Sequence, residues 1–413
     1  MKIAILGSGI AGLACADRLG TRHDVTLFEA EPRLGGHAHT VDVEVAGTTH
    51  AVDTGFIVYN ETTYPELTRL LDELGVATRP AEMSFGLSCE PTGLEWSSRG
   101  LRGLFATPEL AFRPPFLRMV FEILRFAREA PALLDEHDTK TTLRELVAKR
   151  GYSDRFRDDY LAPMGAAIWS AGTDALLDMP AVSFVRFFHN HGLLGRGGGI
   201  RWRTIVGGSR GYVDALARRI RGRIALSTPV LGVRSEPKGV AVQLASGTER
   251  FDRVVFAVHA DTALALLESP TREQRRILGA IRFSRNETVL HTDVSLLPRR
   301  EAARASWNSL VSGASRERVV VTYDLSRLQS IPSAEPLLVT LNGSDRIDPA
   351  RVLGRFDYAH PILDGPAIDA QREHARIDGV GGTHFCGAWW RWGFHEDGLA
   401  SALRVVQAIE AIG

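Results

Sequence analysis

Gly7-Ser8-Gly9-Ile10-Ala11-Gly12 has the glycine spacing that lets a chain turn tightly, approach a pyrophosphate and start a helix packed closely on a sheet. A helix opening at Ile10, with Ala11 and Gly12 in its first turn, would present unpaired N–H groups to phosphate oxygens. Glu29 ends the next strand-like run, Val25 to Glu29, where a carboxylate accepts hydrogen bonds from a ribose diol and repels a 2′-phosphate. A glycine-rich surface turn would explain the glycines alone. The strand before them, the helix after them and the acid in register favour a dinucleotide site.

The residues that follow, Glu29-Ala30-Glu31-Pro32-Arg33-Leu34-Gly35-Gly36-His37, resemble the FAD-binding signature of the flavin-dependent amine oxidase and phytoene desaturase superfamily. The resemblance implies FAD as cofactor, with Gly35 and Gly36 passing close to its pyrophosphate. An arginine commonly follows the glycine pair in that superfamily. Here the position holds His37, which leaves Arg33 as the cationic candidate for the phosphate contact. Thr54-Gly55-Phe56 is similar to a flavin-contacting loop, and the segment around Val230 to one whose backbone meets adenine. Phe385-Cys386-Gly387-Ala388 and Gly393-Phe394-His395-Glu396-Asp397-Gly398-Leu399 look like the closing flavin motif. Backbone N–H groups at Gly398 and Leu399 would there face the isoalloxazine carbonyl.

Asp53 to Asn60, Met164 to Ser170, Phe188 to Gly192 and Trp202 to Thr204 resemble a narrower bacterial branch, labelled only as predicted NAD/FAD-binding proteins. Its members are often encoded near cyclopropane-fatty-acid-synthase-like methyltransferases. Relatives desaturate fatty acyl chains or move their double bonds, which implies a fatty acyl or phospholipid substrate and an electron acceptor that stays unidentified.

Several side chains could serve the chemistry. In flavin amine oxidases a lysine commonly holds a water near the flavin. The lysines here are only Lys2, Lys140, Lys149 and Lys238, none in a segment expected to reach the cofactor. Trp389, Trp390, Trp392 and Phe394 could exclude water from the flavin face, with Trp390 and Trp392 touching substrate; core packing before the last helix is the plainer reading. His395 could move a proton or steady flavin charge, whereas Glu396 and Asp397 also suit a helix cap. His189 and His191 form an H-x-H, but without a third ligand nearby they suit a pocket, or a satisfied core histidine, better than a metal. We take His191 and Tyr59 as catalytic candidates beside His395, and His189 and Trp202 as substrate contacts. A tyrosine buried with one hydrogen bond explains Tyr59 as well.

Behind these residues stand elements that must position them. Periodicity predicts a strand over Lys2 to Leu6, a helix over Ile10 to Leu19, a hairpin over Val41 to Val52 and a helix over Pro65 to Leu74 closed by Gly75. Residues from about Gly100 to Gly192 are mostly helical in pattern, and the run Gly195 to Gly199 reads as a flexible connection. Strand signals return at Ile224 to Leu226, Val230 to Val233, Val240 to Leu244 and Val254 to Val258. Others follow at Val289 to Val294, Val319 to Tyr323, Leu337 to Leu341 and Thr383 to Gly387, before a closing helix over Gly398 to Ile412.

The chain of 413 residues therefore reads as a two-domain α/β FAD-dependent oxidoreductase. Its discontinuous Rossmann-like FAD domain would comprise residues 1–75, 205–268 and 370–413. A mixed helix and sheet substrate domain would take 76–204 and 269–369. A formal net charge of +0 argues against nucleic acid as a partner. Cys15, Cys89 and Cys386 show no paired spacing, which fits a reducing cytoplasm. Residues 101–134 alternate apolar groups with arginines, a pattern that suits peripheral membrane contact and a solvated cap-domain helix equally. The favoured reaction is hydride removal from a fatty acyl lipid, giving a new or moved double bond. Amine oxidation and a non-catalytic flavin-bearing lipid-binding protein are the alternatives.

Overall fold

Period-two burial sets the first sheet. In β1 (Lys2–Leu6), Ile3 and Ile5 enter one core while Ala4 and Leu6 enter another, so helices or strands must cover both faces. The sheet has five parallel strands in the order β10 (Gly222–Ala225), β2 (Asp24–Phe28), β1, β14 (Arg253–Phe256) and β20 (Thr383–Phe385). The computed structural model describes residues 1–412 apart from 136, 137, 139, 170–172, 195–199 and 314–317. The run Gly195 to Gly199 and Ser170 thus lie outside the described residues.

One face is covered by α1 (Ile10–Leu19), α2 (Pro65–Leu74), α10 (Arg210–Arg219) and α15 (His395–Glu410). The other carries the antiparallel sheet β11 (Val230–Glu236), β12 (Gly239–Leu244) and β13 (Gly247–Phe251). Beside it pack α11 (Ala260–Leu266), α12 (Arg272–Ala280) and α14 (Gly365–Gln371). α2 ends as its sequence indicates, with Gly75 in the left-handed region at φ 65°.

A seven-stranded sheet forms the second layer system. Its order is β19 (Val352–Pro361), β15 (Phe283–His291), β18 (Leu338–Leu341), β17 (Arg318–Asp324), β16 (Trp307–Ser312), β7 (Phe85–Cys89) and β8 (Leu94–Ser97). All pairs are antiparallel except β16 with β7. Helices α3 (Gly100–Leu104), α4 (Pro114–Glu129), α5 (Leu143–Lys149), α6 (Asp154–Phe156), α7 (Ala162–Trp169), α8 (Thr173–Leu177) and α9 (Ala181–Asn190) follow β8 in the chain. They share the largest core with this sheet, an aromatic-rich cluster that includes Trp96, Phe116, Phe126, Phe184 and Phe188.

Smaller elements join the two bodies. Ala46 and Gly47, both at positive φ, connect β3 (Thr40–Val45) to β4 (Thr48–Asp53) as in a type I′ hairpin turn. β9 (Trp202–Ile205) lies between β5 (Tyr59–Asn60) and β6 (Thr78–Pro80). At the end of β4 the Asp53 carboxylate, 1% exposed, accepts Thr40 Oγ1 at 2.6 Å, Ser209 Oγ at 2.6 Å, Ser209 N at 2.9 Å and Gln329 Nε2 at 2.7 Å. The Asp53 N–H donates back to Gln329 Oε1. Gln329 directly follows α13 (Leu325–Leu328), so one side chain ties the hairpin, the start of α10 and the seven-stranded layer together. Burial pushes this carboxyl group up, and the hydrogen bonds from Ser209 and Thr40 oppose that push.

Replacing Asp53 with alanine would leave the buried Ser209 and Gln329 groups without their acceptor. Asp53→Ala is expected to lower the unfolding free energy by roughly 2–4 kcal/mol in a urea titration of the apoprotein. An unchanged urea midpoint would show that the knot is not a brace.

Candidate functional site

The turn after β1 is built by glycines that admit nothing larger. A Cβ on Gly12 would stand 1.8 Å from the Gly7 carbonyl oxygen, and one on Gly7, whose φ is +96°, 2.7 Å from the Ala257 oxygen. Gly9 differs: no heavy atom lies within 4 Å of where its Cβ would be, so the turn leaves room on that side. α1 starts there with Gly9 as its N-cap, no side-chain cap and no acid in its first turn, while Ile10, Ala11 and Gly12 are buried. A buried helix start without a cap is a site prepared for an anion.

Two further segments complete the cradle. The Glu29 carboxylate accepts Ser8 N at 2.8 Å and Ser8 Oγ at 2.5 Å on one oxygen, and Glu31 N at 2.9 Å on the other. It is thereby fixed at the mouth of the glycine turn with a lone pair to spare, beside the exposed Ala30. Gly35 and Gly36 both hold positive φ, and a Cβ on Gly36 would come 3.1 Å from the Gly9 Cα, so the two glycine turns touch. Arg33 braces this pair by donating from Nη1 to the Gly36 carbonyl at 2.9 Å.

His37 follows in a ring of neutral partners. Its centroid lies 5.0 Å from Tyr358, 5.5 Å from His360 and 6.0 Å from His259, and its Nε2 is shut from solvent without a hydrogen-bond partner. Burial, with the neighbouring His360, His259, His395 and Arg33, holds its pKa well below the usual histidine value. The loop Thr54-Gly55-Phe56 is laid against this segment. Phe56 N donates to the His37 oxygen at 2.8 Å, and Thr54 Oγ1 pairs with the Tyr358 hydroxyl at 2.6 Å.

The C-terminal turn closes the site. Gly387 N donates to Ser401 Oγ at 2.8 Å, and Ala388 begins the 3₁₀ turn that precedes α15. A Cβ on Gly398 would stand 2.9 Å from Ile10 Cγ2, which brings the first turns of α1 and α15 together, with Leu399 buried beneath. The His395 ring stacks on Phe56 at 3.6 Å, and its Nε2 lies 3.0 Å from the Tyr212 hydroxyl. Burial holds His395 at about 3, so it is neutral at physiological pH. Glu396 accepts the backbone N–H groups of Glu66 and Leu67 at 3.0 Å each, capping α2. Asp397 accepts Trp392 N at 3.2 Å and Phe394 N at 3.0 Å, and burial raises it from 3.8 to about 7.

The other predicted residues separate into two groups. His191 stacks on Phe187 at 3.8 Å, binds its carbonyl through Nδ1 at 2.9 Å and parallels Trp202 at 6.3 Å; burial holds it at about 4. Phe394 and Trp392 lie 5.1 and 6.1 Å from the same Phe187 ring, and Tyr59 is buried nearby, 6.3 Å from Tyr64. His189 is exposed at the end of α9 and does not join His191, because successive odd positions on a helix face different ways. Trp390 departs from its expected place as well. The 3₁₀ turn tucks it into the core under the first sheet, where its indole N–H donates to the Phe385 oxygen at 3.2 Å. Val230 packs at the edge of that same core. Tyr212, His259, Tyr358 and His360 were not read from the sequence. Phe356, Tyr358 and His360 alternate along β19, and that alternation was the available signal.

The sequence profile described as flavin containing amine oxidoreductase matches residues 10–350. A carotenoid phi-ring synthase from Streptomyces griseus is 34% identical over 127 residues, covering 30% of this chain and only 22% of that protein's length. Cyclohexylamine oxidase from Brevibacterium oxydans IH-35A superposes with a TM-score of 0.70 at 18% identity, covering 99% of both chains. A CLA-producing fatty acid isomerase from P. acnes gives 0.69 at 16% identity, covering 98% of both. At such identities the two structures share the fold.

Two substitutions separate room for a cofactor from room needed by the fold. Gly9→Ala should weaken FAD binding about tenfold or more while the apoprotein Tm holds, whereas Gly12→Ala should lower that Tm sharply. Equal FAD affinity in Gly9→Ala and parent would place the cofactor elsewhere. Asp397, raised in the folded state, lends stability that is full below about 4 and lost as pH rises through about 7. Asp397→Asn should therefore gain on the parent as pH rises across that window, and parallel urea curves for the two would mean the carboxyl group is ionised throughout.

Proposed function

The chain belongs to the flavin-containing amine oxidoreductase family, and from that premise we propose that it acts on an unsaturated or modified fatty acyl lipid, dehydrogenating it or moving its double bond. The protein is an FAD-dependent oxidoreductase or isomerase. Its residues fit the cofactor, because the start of α1 is buried without a cap and the side of Gly9 is open, which suits a pyrophosphate. Gly7, Gly9, Gly12 and Gly36 would hold the pyrophosphate, Glu29 the ribose, and the N–H groups at Gly398 and Leu399 the isoalloxazine edge. Bound FAD supplies a two-electron acceptor able to take a hydride from carbon.

The observation that carries the lipid reading is the wall facing the C-terminal turn. Phe187, Trp202, Trp392 and Phe394 pack there with the neutral ring of His191 as an apolar cluster. The two carboxyl groups of the turn, Glu396 and Asp397, face backbone N–H groups, and burial raises the pKa of both, which weakens them as counter-charges for an ammonium ion. All four lysines are exposed, so none holds a water at the site. A wall of this kind excludes water and orients an acyl chain by contact area. His395, held neutral by burial, pairs with the Tyr212 hydroxyl and stacks on Phe56. His191 and Tyr59 are the polar groups left to orient substrate. The fatty acid and carotenoid in the names of two similar proteins support the same reading.

Amine oxidation is the second reading, favoured by the likeness to cyclohexylamine oxidase. One cuvette separates them. FAD-loaded protein mixed without oxygen with unsaturated or methylated phospholipids is expected either to lose its visible flavin band or to return lipids with displaced double bonds. Bleaching by simple amines, with the lipids unaltered, would overturn the lipid reading.

A further inference from the structure

α4 is apolar on two opposite faces. Inward, Phe116, Met119 and Phe126 join the largest core. Outward, Leu117, Phe121 and Leu124 follow one another at helical spacing and are 42%, 61% and 66% exposed. Just before the helix, Phe112 is 87% exposed, and Leu101 of α3 is 76% exposed. A surface helix normally turns polar residues outward, and a contiguous apolar stripe marks a surface built to be covered.

Basic charge frames the stripe. Arg113 and Arg128 continue its line at either end, Arg118 lies beside it, and Arg102 projects from α3; all four are exposed. Among the described residues no ion pair joins Arg102 or Arg113 to a carboxylate. Of the two acids in α4, Glu122 is buried and bound by Ser153 as well as by Arg118, and Glu129 pairs with Arg125 and Arg128. Long guanidinium stems over exposed leucine and phenylalanine match the layered chemistry of a bilayer interface, acyl chains below and phosphates above. No described helix is long and apolar enough to cross a membrane, so the fit is to lying on one.

We propose that α3 and α4 dock the protein on an anionic phospholipid bilayer, with the apolar stripe in the acyl boundary and the arginines at the phosphates. The inference gives the acyl-lipid reading above a place of access, and rests on that reading for its purpose. Packing links the two places. Phe126 of α4 lies 6.5 Å from Phe184, Phe184 5.8 Å from Trp169, Trp169 4.7 Å from Phe187, and Phe187 5.1 Å from Phe394 at the site wall.

Flotation of the FAD-loaded full chain tests the docking surface. The protein should float with phosphatidylcholine vesicles containing phosphatidylglycerol, less with phosphatidylcholine alone, and less at high salt. Phe121→Ser with Leu124→Ser should cut the bound fraction about tenfold or more, and Arg113→Glu with Arg128→Glu should remove the preference for anionic vesicles. The flavin spectrum and turnover of detergent-dispersed substrate should persist, since these side chains are exposed. Flotation unchanged in the serine variant, or no flotation of the parent, would overturn the proposal. So would a dimer in sedimentation that the same serine substitutions dissolve, which would assign the stripe to a second copy. Vesicle binding without any lipid turnover would leave docking intact and defeat the substrate reading; turnover in detergent without flotation would do the reverse.

Discussion

Two helix starts, separated by almost the whole chain, are pressed together at Ile10 and Gly398, and the site depends on that contact. Each start carries about half a positive charge, so the arrangement is electrostatically costly unless negative charge is supplied. α15 carries two carboxyl groups in its first turn, Glu396 and Asp397, both facing backbone N–H groups and both raised in pKa by burial. α1 has no acid and no cap. The imbalance makes the start of α1 the more favourable of the two for an anion. Glycine at position 398 makes the approach sterically possible, since a methyl group there would stand 2.9 Å from Ile10 Cγ2.

Around that charged seam the site is kept neutral. Burial holds His395, His191, His360 and His37 in their uncharged forms, and keeps Asp397 protonated up to about 7. The rings of Phe187, Trp202, Trp392 and Phe394 pack beside the uncharged His191. A wall of uncharged rings excludes water from a hydride transfer. The Arg33 guanidinium donates to the glycine-pair carbonyl and so shapes the cradle.

The parts of this fold that could be read from sequence are those whose causes are local. The glycine turn, the Ala46-Gly47 hairpin, the Gly75 helix stop and the amphipathic α2 each follow from a few adjacent residues, and each forms within a residue or two of where the pattern places it. What escaped reading depends on partners far along the chain. Asp53 gives no local sign that Ser209 and Gln329 will close on it. Tyr358 and His360 sit on an edge strand whose charged residues and glycine blur its alternation. Among four neighbouring aromatic residues, periodicity could not tell that Trp389 and Trp390 turn under the sheet while Trp392 and Phe394 turn toward the cap, because a single 3₁₀ turn decides it.

The first sheet takes its edge strand β20 from residues 383–385, and α15 then lies on α1 so closely that the thiols of Cys15 and Cys386 come within 3.9 Å. During translation, β1 and β2 emerge first, yet the sheet they begin stays open at β14 until almost the entire chain has been made. At roughly 5–20 residues per second, that interval is on the order of tens of seconds. The nascent protein therefore carries an unpaired parallel edge and an uncovered face of α1 through most of its synthesis, and the growing cap must fold beside a cofactor domain that cannot yet hold its cofactor.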